Sequence, residues 1–208
     1  MVRISLRLGL IAFLLVAGLL ISAPYAHADT FLLTSDHCTG GCGNPPFGTV
    51  NVNQNGTTVD VVVTLSQGYS FVKTGAGDMQ AFKFNGVGVV LADISVDPHI
   101  PALLAGTGAF NGNGTGNFTF GISCPSCGGG ASDAFSAPIS FHVANATVSD
   151  LTQGNNLGNT FVADVIAPNG NTGVVDATTP IPTPEPTTLT LLGVGLFGAG
   201  IALRKRAQ

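Results

Sequence analysis

Glycine and proline punctuate the middle of this chain, and no segment of 12 residues free of both keeps a helical period. Each glycine inside a helix costs about 1 kcal/mol relative to alanine and each proline about 3 kcal/mol. A helical fold is therefore not open to it. What the sequence offers instead is alternation. In GTVNVNQNGTTVDVVVTL, Val50 and Val52 alternate with Asn51 and Asn53, and Asn55-Gly56 supplies a turn that tolerates positive φ. Val59, Val61, Val63 and Leu65 then share one face, because side chains in a strand repeat every second residue. This segment predicts a β-hairpin.

The same period recurs. Further strands are expected over Tyr69–Lys73, Gln80–Phe84, Val87–Val96, Gly116–Ile122, Ile139–Val143 and Thr160–Ile166. The pairs Phe82/Phe84 and Phe118/Phe120 and the trio Ile139/Phe141/Val143 each lay an apolar stripe on one side. Gly- and Asn-rich connectors such as GTGAFNGNGTGN separate them. The fold class is all-β, a two-sheet β-sandwich of jelly-roll-like type with about eight to ten strands. A β-solenoid is the rival, but no fixed repeat period supports it.

Both ends read as address labels. Arg3 and Arg7, an uncharged run from Leu8 to Ala23, and Ala26-His27-Ala28 make a secretory signal peptide over 1–28, cut between Ala28 and Asp29 by signal peptidase. The ectodomain follows over 29–177. The stretch Val174–Pro186, VVDATTPIPTPEP, reads as a linker, and its Pro-rich part, 178–186, is expected to be extended and to take no part in a ladder. From Asp29 to Thr183 the chain holds two basic residues, Lys73 and Lys83, against ten aspartates, a formal charge of −8. Such a domain is not built for nucleic acid, whose phosphates need Lys and Arg, nor for direct binding to anionic lipid.

Thr187 to Leu203 are 17 uncharged residues, followed by Arg204-Lys205-Arg206. As a helix they rise about 25 Å against a bilayer core of about 30 Å, the short limit for a span. Three cations after it place that end in the cytoplasm and the ectodomain outside. Residues 187–208 are thus expected to be a transmembrane helix with a basic tail.

Pro184-Glu185-Pro186, a short Gly/Leu-rich apolar span and a terminal Arg/Lys cluster, in that order, resemble the PEP-CTERM sorting signal of Gram-negative bacteria. The resemblance covers only this tail. It implies a transient anchor in the inner membrane and recognition by exosortase, a membrane-embedded cysteine transpeptidase or protease. Cleavage near Pro-Glu-Pro would then deliver the protein to the cell surface or exterior. Proteins with this tail tend to accompany exopolysaccharide and biofilm loci. FLLTSDHCTGGCG, CPSCGGG and APNGNTG resemble a recurrent ectodomain of such proteins, one with no assigned activity.

Four cysteines, Cys38, Cys42, Cys124 and Cys127, form C-x3-C and C-x2-C pairs. Export favours disulfides. Three connectivities are open, and local pairing within each Gly-rich turn is preferred, although it stabilises by only about 2 kcal/mol per bridge. A four-thiolate zinc site and a redox C-x-x-C are the weaker readings, the latter because Gly128-Gly129-Gly130 follows instead of a helix. His37, His99 and His142 read as exposed residues, and no G-x-S-x-G nucleophile motif is present. No catalytic residue, metal ligand or cofactor is assigned.

Loop aspartates Asp36, Asp78, Asp93 and Asp97 leave calcium open without a D-x-D-x-D-G run. Sugar stacking lacks tryptophan, and Tyr69 is the one tyrosine after the signal peptide. Sequons start at Asn55, Asn113, Asn117 and Asn145. A regular Thr array of the kind that binds ice is missing. The expectation is a non-enzymatic, exosortase-processed surface or matrix protein associated with exopolysaccharide. A carbohydrate- or calcium-dependent adhesive module is the alternative, and a secreted hydrolase the third reading.

Overall fold

The computed structural model describes residues 28–181 together with Gly193 and Gly195. The Val-rich hairpin forms as its alternation requires, over Gly48–Asn55 and Thr58–Leu65, in register from Gly48↔Leu65 to Asn55↔Thr58. The turn itself is Gly56-Thr57, with Gly56 at φ 62° and Thr57 outside the positive-φ region. Positive φ at the first central residue alone matches the right-handed twist of the two strands, and glycine adopts it without strain.

Around this hairpin stand two antiparallel sheets. Sheet A holds β1 (Ala28–Leu33), β3 (Gly48–Asn55), β4 (Thr58–Leu65), β7 (Ile94–Val96), β11 (Ile139–Ala144) and β14 (Pro180–Ile181), in the order β14-β1-β3-β4-β11-β7. Sheet B holds β2 (Ser35–Asp36), β5 (Ser70–Lys73), β6 (Phe82–Phe84), β8 (Leu104–Asn111), β9 (Asn117–Ser123), β10 (Gly130–Phe135), β12 (Phe161–Ile166) and β13 (Thr172–Ala177). Its axis is β12. One edge of β12 pairs along its length with β13. Its other edge pairs with β6 through Phe161–Ala163 and with β5 through Val165–Ile166.

The sheets meet through phenylalanines. Phe31 of β1 meets Phe161 of β12 edge-on at 4.9 Å, and Phe141 of β11 stacks on Phe84 of β6 at 4.9 Å. Phe82 lies 6.1 Å from Phe141 and 5.8 Å from Phe161. All five rings are fully buried, as are Val50, Val52, Val59, Val63, Ile139 and Val143. Rings in these geometries add about 0.5–1.5 kcal/mol per pair beyond the area they bury. The one α-helix among the described residues outside the tail, α1 (Val148–Leu151), is a single turn whose Val148 and Leu151 plug the same core.

Several expectations shift. Fourteen strands, three of them longer than seven residues and two only two residues long, replace the expected eight to ten. Only Ile94–Val96 of the expected strand 87–96 pairs. Ahead of it, Asp93 folds back to accept the Val90 N–H at 3.0 Å, closing a 3-10 turn over Leu91–Asp93 that leaves Val87 and Val90 exposed. The connector around Gly106–Asn111 belongs to β8, an edge strand whose register breaks between Thr107 and Phe110. Most of β8 is solvated, so its composition gave no apolar stripe. The expected linker joins two ladders: residues 174–177 belong to β13 and pair with β12, and Pro180 and Ile181 pair with Phe31 and Thr30. Proline fits there because β14 is the edge of sheet A, where an N–H is not required.

The expected signal peptide up to residue 27 and the expected span over 187–203 lie outside the described residues, apart from Gly193 and Gly195, which are helical. Among the described residues no helix is long and apolar enough to cross a membrane.

Candidate functional site

The residues expected to direct sorting, Pro184, Glu185, Pro186, Arg204, Lys205 and Arg206, lie outside the described residues, as does Ala26. Ala28 opens β1 opposite Asn53. The start of β1 and the end of β14 therefore lie at one corner of the fold: β14 runs antiparallel to β1, and its last residue, Ile181, sits opposite Thr30.

Cys38 is bonded to Cys42 and Cys124 to Cys127, each pair with Cα atoms 5.3 Å apart. The first loop is organised by Asp36, whose two carboxylate oxygens accept the N–H groups of Cys38 at 2.9 Å and Cys42 at 2.7 Å. Asn169 and Asn171 add donors to the Gly41 carbonyl at 3.0 and 2.8 Å. The second loop is held by Lys73, whose ammonium donates to the carbonyls of Cys124 at 3.3 Å and Cys127 at 3.5 Å. Asp36, Cys38 and Cys42 are the one group of potential metal ligands gathered among the described residues. With both sulfurs in a disulfide, the carboxylate alone remains as a donor, too little to hold zinc. The four sulfurs are not gathered together.

The three histidines, expected to be exposed, are half-buried and each is engaged, and His142 lies on the solvent side of its strand as expected. His37 Nε2 lies 2.8 Å from Asp176 Oδ2 and 3.1 Å from Ser35 Oγ. This trio has the residue types of a hydrolase but not its wiring. A catalytic histidine takes the serine proton at one ring nitrogen and is oriented by the carboxylate through the other. Here serine and aspartate share Nε2, so no relay runs through the ring. Burial raises the Asp176 pKa, and His37 and Ser35 partly offset that. His99 Nδ1 lies 2.8 Å from the Pro101 carbonyl, and its ring meets Phe135 edge-on at 5.0 Å. His142 leaves the solvent side of β11 with both nitrogens occupied, Nδ1 by Asp60 at 2.7 Å and Nε2 by Asp97 at 2.9 Å. The Asp60 hydrogen bond is the main cause that raises its pKa.

A second constellation was not expected at all. Lys83, between Phe82 and Phe84, points away from the inter-sheet core, yet it is fully buried. A 3-10 turn over Gly75–Gly77 lies across the outer face of sheet B, and Lys83 donates to the Gly77 carbonyl at 2.8 Å. Asp164, on the same face, is also fully buried. Its carboxylate accepts the Thr74 N–H at 2.6 Å and the Thr74 hydroxyl at 2.7 and 2.8 Å. A Cβ on Gly77 would stand 2.6 Å from the Asp164 side chain, so only glycine closes this lid. Phe118, Val162, Val174 and Ala76 pack around it as a separate small apolar cluster. Burial lowers the Lys83 pKa to about 8, against the pull of Asp164 and Asp78. Burial raises that of Asp164 to about 6, against Thr74 and Lys83. The one signal in the sequence is two glycines, Gly75 and Gly77, shortly before an FKF strand.

The candidate calcium residues are committed locally. Asp78 accepts the Asn111 N–H, Asp93 the Val90 N–H and the Asn145 amide, and Asp97 contacts His142. Tyr69 offers no sugar platform: it is buried, donates to the Cys42 carbonyl at 2.8 Å, and meets Phe47 edge-on.

No curated protein and no solved structure matches the chain. The PEP-CTERM protein-sorting motif does match, over residues 182–206, beginning at the residue after β14. The matched segment contains Pro184-Glu185-Pro186 and the Arg204-Lys205-Arg206 cluster. The chain thus carries a PEP-CTERM sorting signal, which supports an exported protein with exosortase as its processing partner.

Proposed function

We propose that this protein is a non-enzymatic component of the cell surface or extracellular matrix, associated with exopolysaccharide. It is exported by its signal peptide, held briefly in the inner membrane by residues 187–203, and cut by exosortase near Pro184–Pro186. The observation that carries this reading is the sorting motif at 182–206, set directly behind the last strand. The pairing of β14 with β1 supports it. Both membrane-directed segments leave one corner of the sheets, so the jelly-roll-like sandwich can stand on the outer membrane leaflet without unfolding while either is cut. The non-enzymatic part draws on the Ser35–His37–Asp176 geometry, in which one ring nitrogen serves both partners.

Mass spectrometry of the protein from culture medium and membranes of the native host tests this. Wild-type protein is expected in the medium, starting at Asp29 and ending near Pro184–Pro186. Glu185→Ala is expected to stay in the membrane fraction at full length from Asp29. Release of that variant at the wild-type level, or released protein that still ends in Arg204-Lys205-Arg206, overturns the reading.

A further inference from the structure

An open groove of about 350 Å³ lies on the outside of the fold, between the turn after β6, strand β9 and the segment that follows α1. Its polar lining is Asn85, Asn117, Thr119, Gln153, Asn155 and Asn156, with no charged side chain among its lining residues. Five carboxamides in one depression need a reason, and some of them serve the fold. Asn155 donates to the Thr115 carbonyl at 2.7 Å and accepts the N–H groups of Leu157 at 2.9 Å and Asn159 at 3.1 Å, which fixes the loop that carries its neighbours. Asn85 accepts the Thr119 N–H at 2.9 Å and its hydroxyl at 3.3 Å, and Asn117 accepts the Asn111 amide at 3.3 Å.

Those bonds use only the oxygens of Asn85 and Asn117, so both NH2 groups are left over. Gln153 and Asn156 make no side-chain hydrogen bond among the described residues, and both are exposed. The lining thus combines two carboxamides fixed through their oxygens with two that can still turn. A carboxamide presents one acceptor beside two donors. Neighbouring hydroxyls of a sugar ring, each both donor and acceptor, complement that pattern in a way that a carboxylate or an ammonium does not. Val87, which lines the groove, is 53% exposed and offers apolar contact to the C–H face of a ring.

We infer that this groove binds a neutral polysaccharide, held by the Gln153 and Asn156 carboxamides against the free NH2 groups of Asn85 and Asn117. Charge selects the neutral class. The ectodomain carries ten aspartates, and its two lysines are turned inward, Lys83 buried and Lys73 on the carbonyls of the second disulfide loop. An anionic polymer meets repulsion with no cation to receive it. With no aromatic ring in the lining, a single site binds weakly, with a Kd of ~1 mM, so a long polymer at high concentration is the proper probe. The inference takes its setting from the matrix role above and adds a site and a ligand class. It is tested in vitro, so failure here leaves the sorting and release of the protein to be judged separately.

The test is affinity electrophoresis of the full-length chain, in a detergent without a sugar headgroup, through native gels containing dextran, galactomannan, mixed-linkage β-glucan or alginate. At least one neutral polymer is expected to slow the protein about twofold, alginate is expected to leave it unchanged, and Gln153→Ala/Asn156→Ala is expected to run at its polymer-free mobility. Because these two side chains make no hydrogen bond among the described residues, the variant is expected to keep its structure. Unchanged mobility in all three neutral polymers overturns the proposal. So does equal retardation of the variant, or retardation by alginate as strong as by any neutral polymer.

Discussion

On the outer face of sheet A, His142 stands between Asp60 and Asp97, and the three side chains are 41%, 28% and 44% exposed. On the outer face of sheet B, Lys83 and Asp164 are both at 0%. Each sheet has an apolar inner face and places its charges outside, as alternation demands. They differ in what lies over them. Sheet A leaves its charges in water, where ion pairs are screened and contribute little. Sheet B is roofed by Gly75–Gly77, and its charges lose their hydration, with Thr74 and the Gly77 carbonyl in place of water. Charged side chains are therefore solvated on one sheet and part of the interior on the other.

The largest expected effect comes from removing one charge under the roof. Lys83→Met leaves the Asp164 carboxylate buried with Thr74 as its only partner. What is lost is the charge-assisted hydrogen bond to the buried Gly77 carbonyl and the attraction that Lys83 exerts on Asp164, about 1.5–3 kcal/mol, and the part due to Asp164 returns when both groups are made neutral. Urea unfolding at pH 7 is expected to show a loss in that range for Lys83→Met and recovery of part of it in Lys83→Met/Asp164→Asn. A single variant within about 1 kcal/mol of wild type would mean that water reaches the pair, and the contrast between the two faces would disappear.

A smaller effect follows from pH. Asp164 titrates at about 6 in the fold, above its ordinary 3.8. The folded chain then holds the proton longer than the unfolded one, so this contribution is complete below about pH 4 and is lost as pH rises through about 6. Lys83 titrates at about 8, below its ordinary 10.5. Its contribution is present above about 10.5 and is lost as pH falls through about 8. The two together produce a trough in stability between about pH 6 and 8, where both groups are charged. Thermal melting across pH 4–10.5 is expected to show it, and in Lys83→Met/Asp164→Asn the curve is expected to flatten. A wild-type maximum at pH 7 that the double variant shares would count against the burial of the pair.

What could be read from the chain divides along the same line. The inner faces were legible because a strand repeats locally: Val59, Val61 and Val63, or Ile139, Phe141 and Val143, declare their side without any knowledge of a partner. The sorting motif was legible for the same reason, since it is one short string. Lys83 was not. Alternation turns it away from the core correctly, but its roof is a loop and its counter-charge stands 81 positions away, and no local period encodes either. His37 and Asp176 are 139 residues apart and meet only because β2 pairs with β13. The amide groove joins three segments, one of them the loop held by Asn155, and its asparagines read locally as turn formers. Strand β8 was hidden by its exposure, and β14 by its proline, which an edge position tolerates.

The smallest expected effect belongs to the exposed face. His142 joins β4, β11 and the end of β7 through Asp60 and Asp97, and these carboxylates raise its pKa above the ordinary 6.5. A raised value means that the charged network is fully formed below 6.5 and fades as pH rises through the folded pKa. With two-fifths of the ring in solvent, screening limits the network to about 0.5 kcal/mol. His142→Gln is expected to lose that amount at pH 5.5 and nothing measurable at pH 9, and 1 M salt is expected to remove most of the difference at the lower pH. The sign is opposite to that of Lys83, whose contribution grows on the alkaline side. Should His142→Gln instead cost several kcal/mol, insensitive to salt, the outer face of sheet A would be as protected as that of sheet B, and β7 would have to be treated as part of a second roof.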